Sequence, residues 1–145
     1  MSKLEDFLSQ NDEMEIVEAI RIAEGKTSGE IRVHIESSNQ GNIEQHVLEV
    51  FHLLKMDNTK LLNGVLIYVA VKDKSFAIYG DKGINDVVSN DFWDVTKDVM
   101  LSYFKDGKFK QGLIEGILKT GEQLETYFPC LHDDIDELSN EISKS

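Results

Sequence analysis

The chain has a single proline, Pro129, a single cysteine, Cys130, and no apolar run longer than Val65 to Val71. Each scarcity excludes something. One cysteine permits no intramolecular disulfide, in keeping with a reducing compartment. A run of that length falls far short of the roughly 20 apolar residues that a membrane-spanning helix takes. The opening "MSKLEDFLSQNDE" turns acidic at once and has no apolar h-region, so it does not read as a secretory signal. With no Pro/Gly-rich linker, repeat or low-complexity tract, the 145 residues read as one domain, cytoplasmic by default. Positive charge is also scarce: 15 Lys and Arg stand against 27 Asp and Glu, for a net charge of −12. Nucleic acid and anionic membrane surfaces both ask for a basic face, so neither is an expected partner. A divalent cation suits this balance better, although an acidic surface also serves solubility alone. The default oligomeric state is a monomer.

What is present is a regular alternation of elements. Ile16, Ala19, Ile20 and Ala23 recur at helical spacing over 10–25. Ser9 with Asp12, or Asn11 with Glu13 in the first turn, is placed to cap the start of that helix, and Gly25 to end it. "GEIRVHIES" alternates Ile31, Val33 and Ile35 with Arg32, His34 and Glu36, the pattern of a half-covered strand. After the turn "SSNQGN", Ile43, Val47, Val50, Phe51 and Leu54 mark a second helix. Val65 to Val71 has the unbroken apolar pattern of a central strand covered on both faces. "KDKS" then predicts a tight turn into the returning strand "SFAIYG". Helical stripes follow: Phe92, Val95, Val99 and Tyr103, then Phe109, Leu113, Ile117, Leu124 and Phe128. The break between them is "KDG", and an acidic helix over about 132–143 closes the chain. The expected fold is of the α/β class, a sandwich with a small mixed sheet and several helices. Strands one and two are expected parallel through a right-handed crossover, strands two and three antiparallel.

That topology converges on one end of the sheet. If Asp73 and Lys74 form the hairpin tip, Lys72 pairs with Ser75, Leu66 faces Asp81 and Gly64 faces Gly83. Glu30 starts the first strand at the same end. The loop "MDNT" brings Asp57 and Asn58, and the chain after the third strand brings Asp86, Asn90 and Asp91. Crowded carboxylates resist ionising together, and a cation removes that penalty. Carboxylate, amide and backbone carbonyl oxygens are hard donors, suited to Ca²⁺ or Mg²⁺. Gly80 and Gly83 would let the backbone turn sharply toward the site. Ordinary turn and capping chemistry also places Asn and Asp at such positions, so both readings stand.

The segments "KTSGEIRVHIE", "MDNTKLLNGVLIYVAVKDKSFAIYGDKGI", Trp93 and "FKDGKFKQGLIEGILKTGEQLETYFP" together resemble the TPM domain over roughly residues 9 to 130. That family takes its name from a plant thylakoid-lumen protein, a photosystem II repair factor and a nematode receptor modulator. The resemblance implies a three-layer fold with a mixed sheet, a divalent ion in a crevice at the sheet's end in some members, and acid phosphatase activity in some. Its signature polar positions fall here on Glu30, Asn63 and Asp81, with Gly64 and Gly83. Many relatives carry signal peptides, membrane anchors or Gly-rich tails. This chain resembles a short, soluble, stand-alone form of bacterial type.

Two functions compete. In the first, a metal-binding module uses Glu30, Asn63, Asp57 and Asp81 as ligands. Its cleft, lined by Gly64, Gly80, Gly83, Asp86, Asp91 and Trp93, docks a protein segment or a small anionic ligand. In the second, the same ion supports hydrolysis of phosphomonoesters, with Asp81 as ligand or base and Glu30 as second ligand or proton shuttle. No Gly-rich loop followed by Lys, Cys-x₅-Arg or Ser–His pair supplies a dedicated phosphate cradle. His34, His46, His52 and His132 lack metal-ligand spacing and read as surface or packing residues. Cys130 and His132 beside Asp133 and Asp134 have no further ligands in sight, and "DDIDE" lacks the glycine and closing glutamate of an EF-hand loop.

Overall fold

The computed structural model describes residues 8–38, 41–130 and 142–144. Helix α1 spans Gln10–Glu24 and opens on a full capping box. Asp12 N donates to Ser9 Oγ at 3.0 Å, and Ser9 N donates back to the Asp12 carboxylate. Gly25 ends the helix in a right-handed conformation (φ −70°), not the left-handed one that most favours glycine. Strand β1 (Glu30–Glu36) follows, then helix α2 (Ile43–Leu53), capped by Asn42 accepting from Gln45 N. Strands β2 (Gly64–Ala70) and β3 (Ser75–Gly80) form the hairpin. A four-residue helix α3 (Lys82–Asn85) leads to α4 (Asp94–Lys105) and α5 (Phe109–Glu125). A two-residue strand, β4 (Ser143–Lys144), ends the described chain.

The sheet runs β3-β2-β1-β4, with β1 parallel to both β2 and β4 and β3 antiparallel to β2. One face carries Ile31, Val33, Ile35, Val65, Ile67, Val69 and Ile78 into the larger core, with Ile16 and Ile20 of α1, Met100 of α4 and Leu113 and Ile117 of α5. The other face presents Leu66, Tyr68 and Ala70 to Val47, Val50 and Phe51 of α2. Three layers follow, with the fully buried β2 at the centre. Small residues on α5 set the helix packing: a Cβ on Gly121 would stand 2.7 Å from the Ala23 Cβ, and one on Gly116 2.5 Å from the Met100 sulfur.

Four sequence expectations change. The apolar stripe of α4 is rotated by one position: Thr96 and Met100 are buried, whereas Val95 is 55% exposed. The cause lies on α5, where Gly116 makes room for Met100 and Gln123 accepts a hydrogen bond from the Thr96 hydroxyl. Strand β1 is covered on both faces, its polar row being buried by α2, Tyr68 and β4. The hairpin register is shifted by two: Ala70 pairs with Ser75 and Val65 with Gly80. Val71 and Lys72 donate to Glu36 O and Ser37 O beside β1, so the loop takes four residues, with Lys74 left-handed at φ 52°. A two-residue turn of the favoured type would need left-handed backbone at both central positions, which Asn-Gly supplies and Asp73-Lys74 does not. Lastly, most of the expected C-terminal helix lies outside the described residues, but its final position, Ser143, belongs to β4. There it pairs opposite His34 and closes the open edge of β1.

Candidate functional site

A register shift of two keeps every side chain on its own face. Its consequence is that Asp81, not Gly83, lies opposite Gly64, with Asp81 N donating to Gly64 O at 2.9 Å. Since Glu30 pairs with Gly64 on the other side, Glu30, Gly64 and Asp81 form one row across the end of the sheet. Alternation puts the row on the α2 face, in line with Leu66 and Tyr68. Gly64 leaves the middle of the row open to the backbone above it: a Cβ there would stand 2.8 Å from Met56 O. Two carboxylate-bearing residues therefore flank a glycine over which a peptide carbonyl is held.

The loop that delivers this carbonyl is strained at both ends. Lys55 and Leu62 both adopt left-handed backbone, with φ 57° and 51°. Such conformations cost about 1–3 kcal/mol each and persist only where the surroundings enforce them. Met56 is fully buried and anchors the loop from below. Gly83 anchors it from the side: Gly83 N donates to Leu62 O at 2.8 Å, and a Cβ at 83 would fall 2.0 Å from Leu61 O. Neither Gly80 nor Gly83 has a positive φ. Both are required by close approach, not by the sharp turn expected from the sequence, since Gly80 is covered by Trp93 and Ile84.

Asp81 caps α3, its Oδ1 accepting from Lys82 N at 2.7 Å. Its other oxygen, Oδ2, is buried and has no hydrogen-bond partner. The residue is 7% exposed, and burial raises its pKa. The Lys82 backbone bond opposes that rise, the neighbouring Asp57 adds to it, and His52 lowers it. Asp57 itself is exposed and bonded to His52 Nδ1 at 3.2 Å.

The remaining expected residues separate. Asn63 is buried, but its Nδ2 donates to Ser28 Oγ, which ties β2 to the connection before β1. Asp86 and Asp91 are exposed on the chain between α3 and α4, Asp91 accepting from the Ser89 hydroxyl. Trp93 lies on the opposite face, in the larger core. Among the described residues no three His, Cys, Asp or Glu side chains are arranged to hold a metal ion. The end of the sheet thus supplies Glu30, Asp81 and the Met56 carbonyl, with Asp57 as nearby charge.

A second polar cluster occupies the same face farther along β1. The Glu36 carboxylate receives His34 Nε2 at 3.0 Å, His46 Nε2 at 2.6 Å and the Tyr68 hydroxyl at 2.7 Å. His34 Nδ1 meets Ser143 Oγ at 3.0 Å, which joins β4 to the network. Burial lowers the His34 pKa, opposed by Glu36, and burial together with Glu36 raises that of Tyr68. With the ring neutral and Nε2–H given to Glu36, Nδ1 accepts from the serine hydroxyl. The i, i+2 spacing of His34 and Glu36 on one strand face signalled this pairing, whereas His46 and Tyr68 come from other elements.

Among the described residues no helix is long and apolar enough to cross a membrane. The chain is similar over its whole length to BA42 from the psychrophilic bacterium Bizionia argentinensis, whose NMR structure has 61% sequence identity and a TM-score of 0.93, covering 100% of both chains. The N-terminal domain of a P. gingivalis protein shares the fold at 21% identity and a TM-score of 0.69, over 87% of this chain and 83% of that one. The N-terminal domain of cg2496 from Corynebacterium glutamicum does so at 12% identity and a TM-score of 0.62, over 95% and 80%. No curated protein matches the sequence. The sequence profile of the TPM domain matches residues 1–123, and the chain belongs to the TPM domain family.

Proposed function

We propose that the protein is a divalent-cation-binding module whose ion seats at the Glu30–Gly64–Asp81 row and docks a protein segment or a small anionic ligand. The observation that carries this reading is Asp81 Oδ2, a buried carboxylate oxygen with no hydrogen-bond partner. An unsatisfied buried acceptor costs about 1–3 kcal/mol, more when charged, and a cation offsets that cost. Glu30, Asp81 and the Met56 carbonyl are all hard oxygen donors, which fits Ca²⁺ or Mg²⁺. A small protein ligand set also fits Mg²⁺, which keeps several of its waters. When bound, the ion would neutralise the carboxylates and offer its remaining positions to an anionic group. Leu61 and Leu62, 52% and 38% exposed on the strained loop, give the apolar part of a ligand a surface beside it.

The alternative is metal-dependent hydrolysis of phosphomonoesters. It is favoured by the same Asp81 carboxylate, whose buried Oδ2 has no hydrogen-bond partner and so is open to accept a proton from an attacking water. One experiment separates the two. Thermal unfolding is followed in Ca²⁺, in Mg²⁺ and in EDTA, alongside p-nitrophenyl phosphate turnover. The module reading expects a cation-dependent rise in Tm without turnover. Cation-dependent turnover that vanishes in Asp81→Asn selects the hydrolase. Identical Tm in cation and in EDTA refutes both.

A further inference from the structure

The opposite end of the sheet carries a different kind of site. A cavity of about 600 Å³ lies between the hairpin and the turn that joins α4 to α5. That volume is within the range of small-molecule pockets, about 300–1,000 Å³. Its walls are apolar: Val69 and Phe76 from the hairpin, Leu101 and Phe104 from α4, and Phe109 from α5. The aromatic rings pack in sequence, Phe76 against Phe104 edge-on at 5.0 Å and Phe104 against Phe109 at 5.6 Å. Leu101 and Phe109 are 40% and 37% exposed, so this apolar surface opens to water. Gly107, at φ 75°, turns the chain between the helices and also lines the cavity.

Lys74 and Lys105 line the same cavity, one from each side, and both are exposed. Among the described residues neither forms an ion pair. Asp73, beside Lys74, instead accepts a hydrogen bond from Ser38 Oγ. On a chain of net charge −12, two ammonium groups without carboxylate partners at an apolar cavity are a local reversal of charge. The chemistry they complement is an apolar tail with one anionic head.

We infer that this cavity binds a free medium-chain alkyl carboxylate, its chain against Val69, Phe76, Phe104 and Phe109 and its carboxylate between Lys74 and Lys105. The test titrates the ¹⁵N-labelled full chain with octanoate, and with octan-1-ol and octylammonium as neutral and cationic counterparts. Octanoate is expected to give saturable shifts confined to residues 69–76 and 101–109, leaving Gly64 and Asp81 unmoved. The double variant Lys74→Gln/Lys105→Gln, at two exposed positions, is expected to weaken octanoate about tenfold while octan-1-ol affinity stays the same. Octylammonium is expected to bind more weakly than octanoate by a similar factor. The inference is overturned if octanoate gives no saturable shifts in these segments. It is equally overturned if octylammonium binds as well, or if the double variant keeps full octanoate affinity.

Discussion

Replacing Asp81 by asparagine is expected to stabilise the cation-free protein, an unusual sign for a buried residue. Asparagine is as good an N-cap as aspartate, so the bond from Lys82 N, 2.7 Å in the native protein, is retained. What the substitution removes is a negative charge whose second oxygen is buried without a partner, next to Asp57. An unsatisfied buried acceptor costs about 1–3 kcal/mol. Because the new amide nitrogen needs an acceptor of its own, the lower end applies, about 1 kcal/mol. For a chain of this size that raises Tm by roughly 3 °C in EDTA at neutral pH.

The pH dependence has a definite sign. Burial raises the folded pKa of Asp81 above its unfolded value. In the interval between the two values the folded chain holds more protons than the unfolded chain, so stability falls as pH rises through it. The advantage of Asp81→Asn is therefore full at neutral pH and disappears below the ordinary aspartate range, near about pH 4. Excess Ca²⁺ should reverse the order of the two proteins. Saturation at 100 times Kd stabilises the native protein by about 2.7 kcal/mol, and the variant, lacking the charge, gains far less. Paired urea and thermal unfolding, in EDTA and in Ca²⁺ at pH 7 and pH 4, measures all four conditions. If Asp81→Asn is less stable than the native protein in EDTA at pH 7, the buried carboxylate is already compensated and the case for a cation collapses.

Other substitutions probe the surroundings. Gly64→Ala puts a Cβ 2.8 Å from Met56 O, on a loop anchored by a fully buried side chain; urea unfolding should show a loss of about 1–3 kcal/mol, with the cation effect abolished. Glu36→Gln sets an amide donor against at least one of three donors now served by the carboxylate; a loss of about 1–3 kcal/mol is expected, and an unchanged urea midpoint would show the network contributes nothing. His34 has a folded pKa lowered by burial, so the unfolded chain takes up its proton first, and stability should fall as pH drops below about 6.5; His34→Gln should flatten that part of the profile between pH 7.5 and 5.5. Ile117→Ala empties a fully buried position in the larger core and should cost about 2–5 kcal/mol in the same assay, without altering the cation response.

The legible parts of the sequence were those with one-dimensional signals. Periodicity placed α1, α2 and β2 to within a residue or two, because each has a single apolar pattern, and the two helices have capping residues beside it. The stripe of α4 was misread because helical spacing cannot tell Val95 from Thr96 when the deciding contacts are Gly116 and Gln123 on another helix. Likewise β1 read as half-covered, since nothing local to Arg32, His34 and Glu36 announces that Tyr68, His46 and Ser143 will close over them.

The end of the sheet shows the same division more sharply. Chain order brought Glu30, Gly64 and Asp81 together, and parity protected that grouping even though the hairpin register was wrong by two. The register error changed which residue faced Gly64, and with it the nature of the site. Opposite Gly83 the row would have held one carboxylate; opposite Asp81 it holds two, with a glycine between them. The Met56 carbonyl was illegible because it belongs to the backbone and its position depends on two left-handed residues, Lys55 and Leu62, that no propensity favours. Asn63 was misleading for the opposite reason. Its identity suggested a ligand, but it is the neighbour of Gly64 and so alternates to the other face of the sheet, and its Nδ2 donates to Ser28 Oγ. The proposed site, built from one capping aspartate, one strand-start glutamate and one peptide oxygen, has no motif to scan for. It becomes visible only when the register is known and each buried oxygen can be asked what it bonds to.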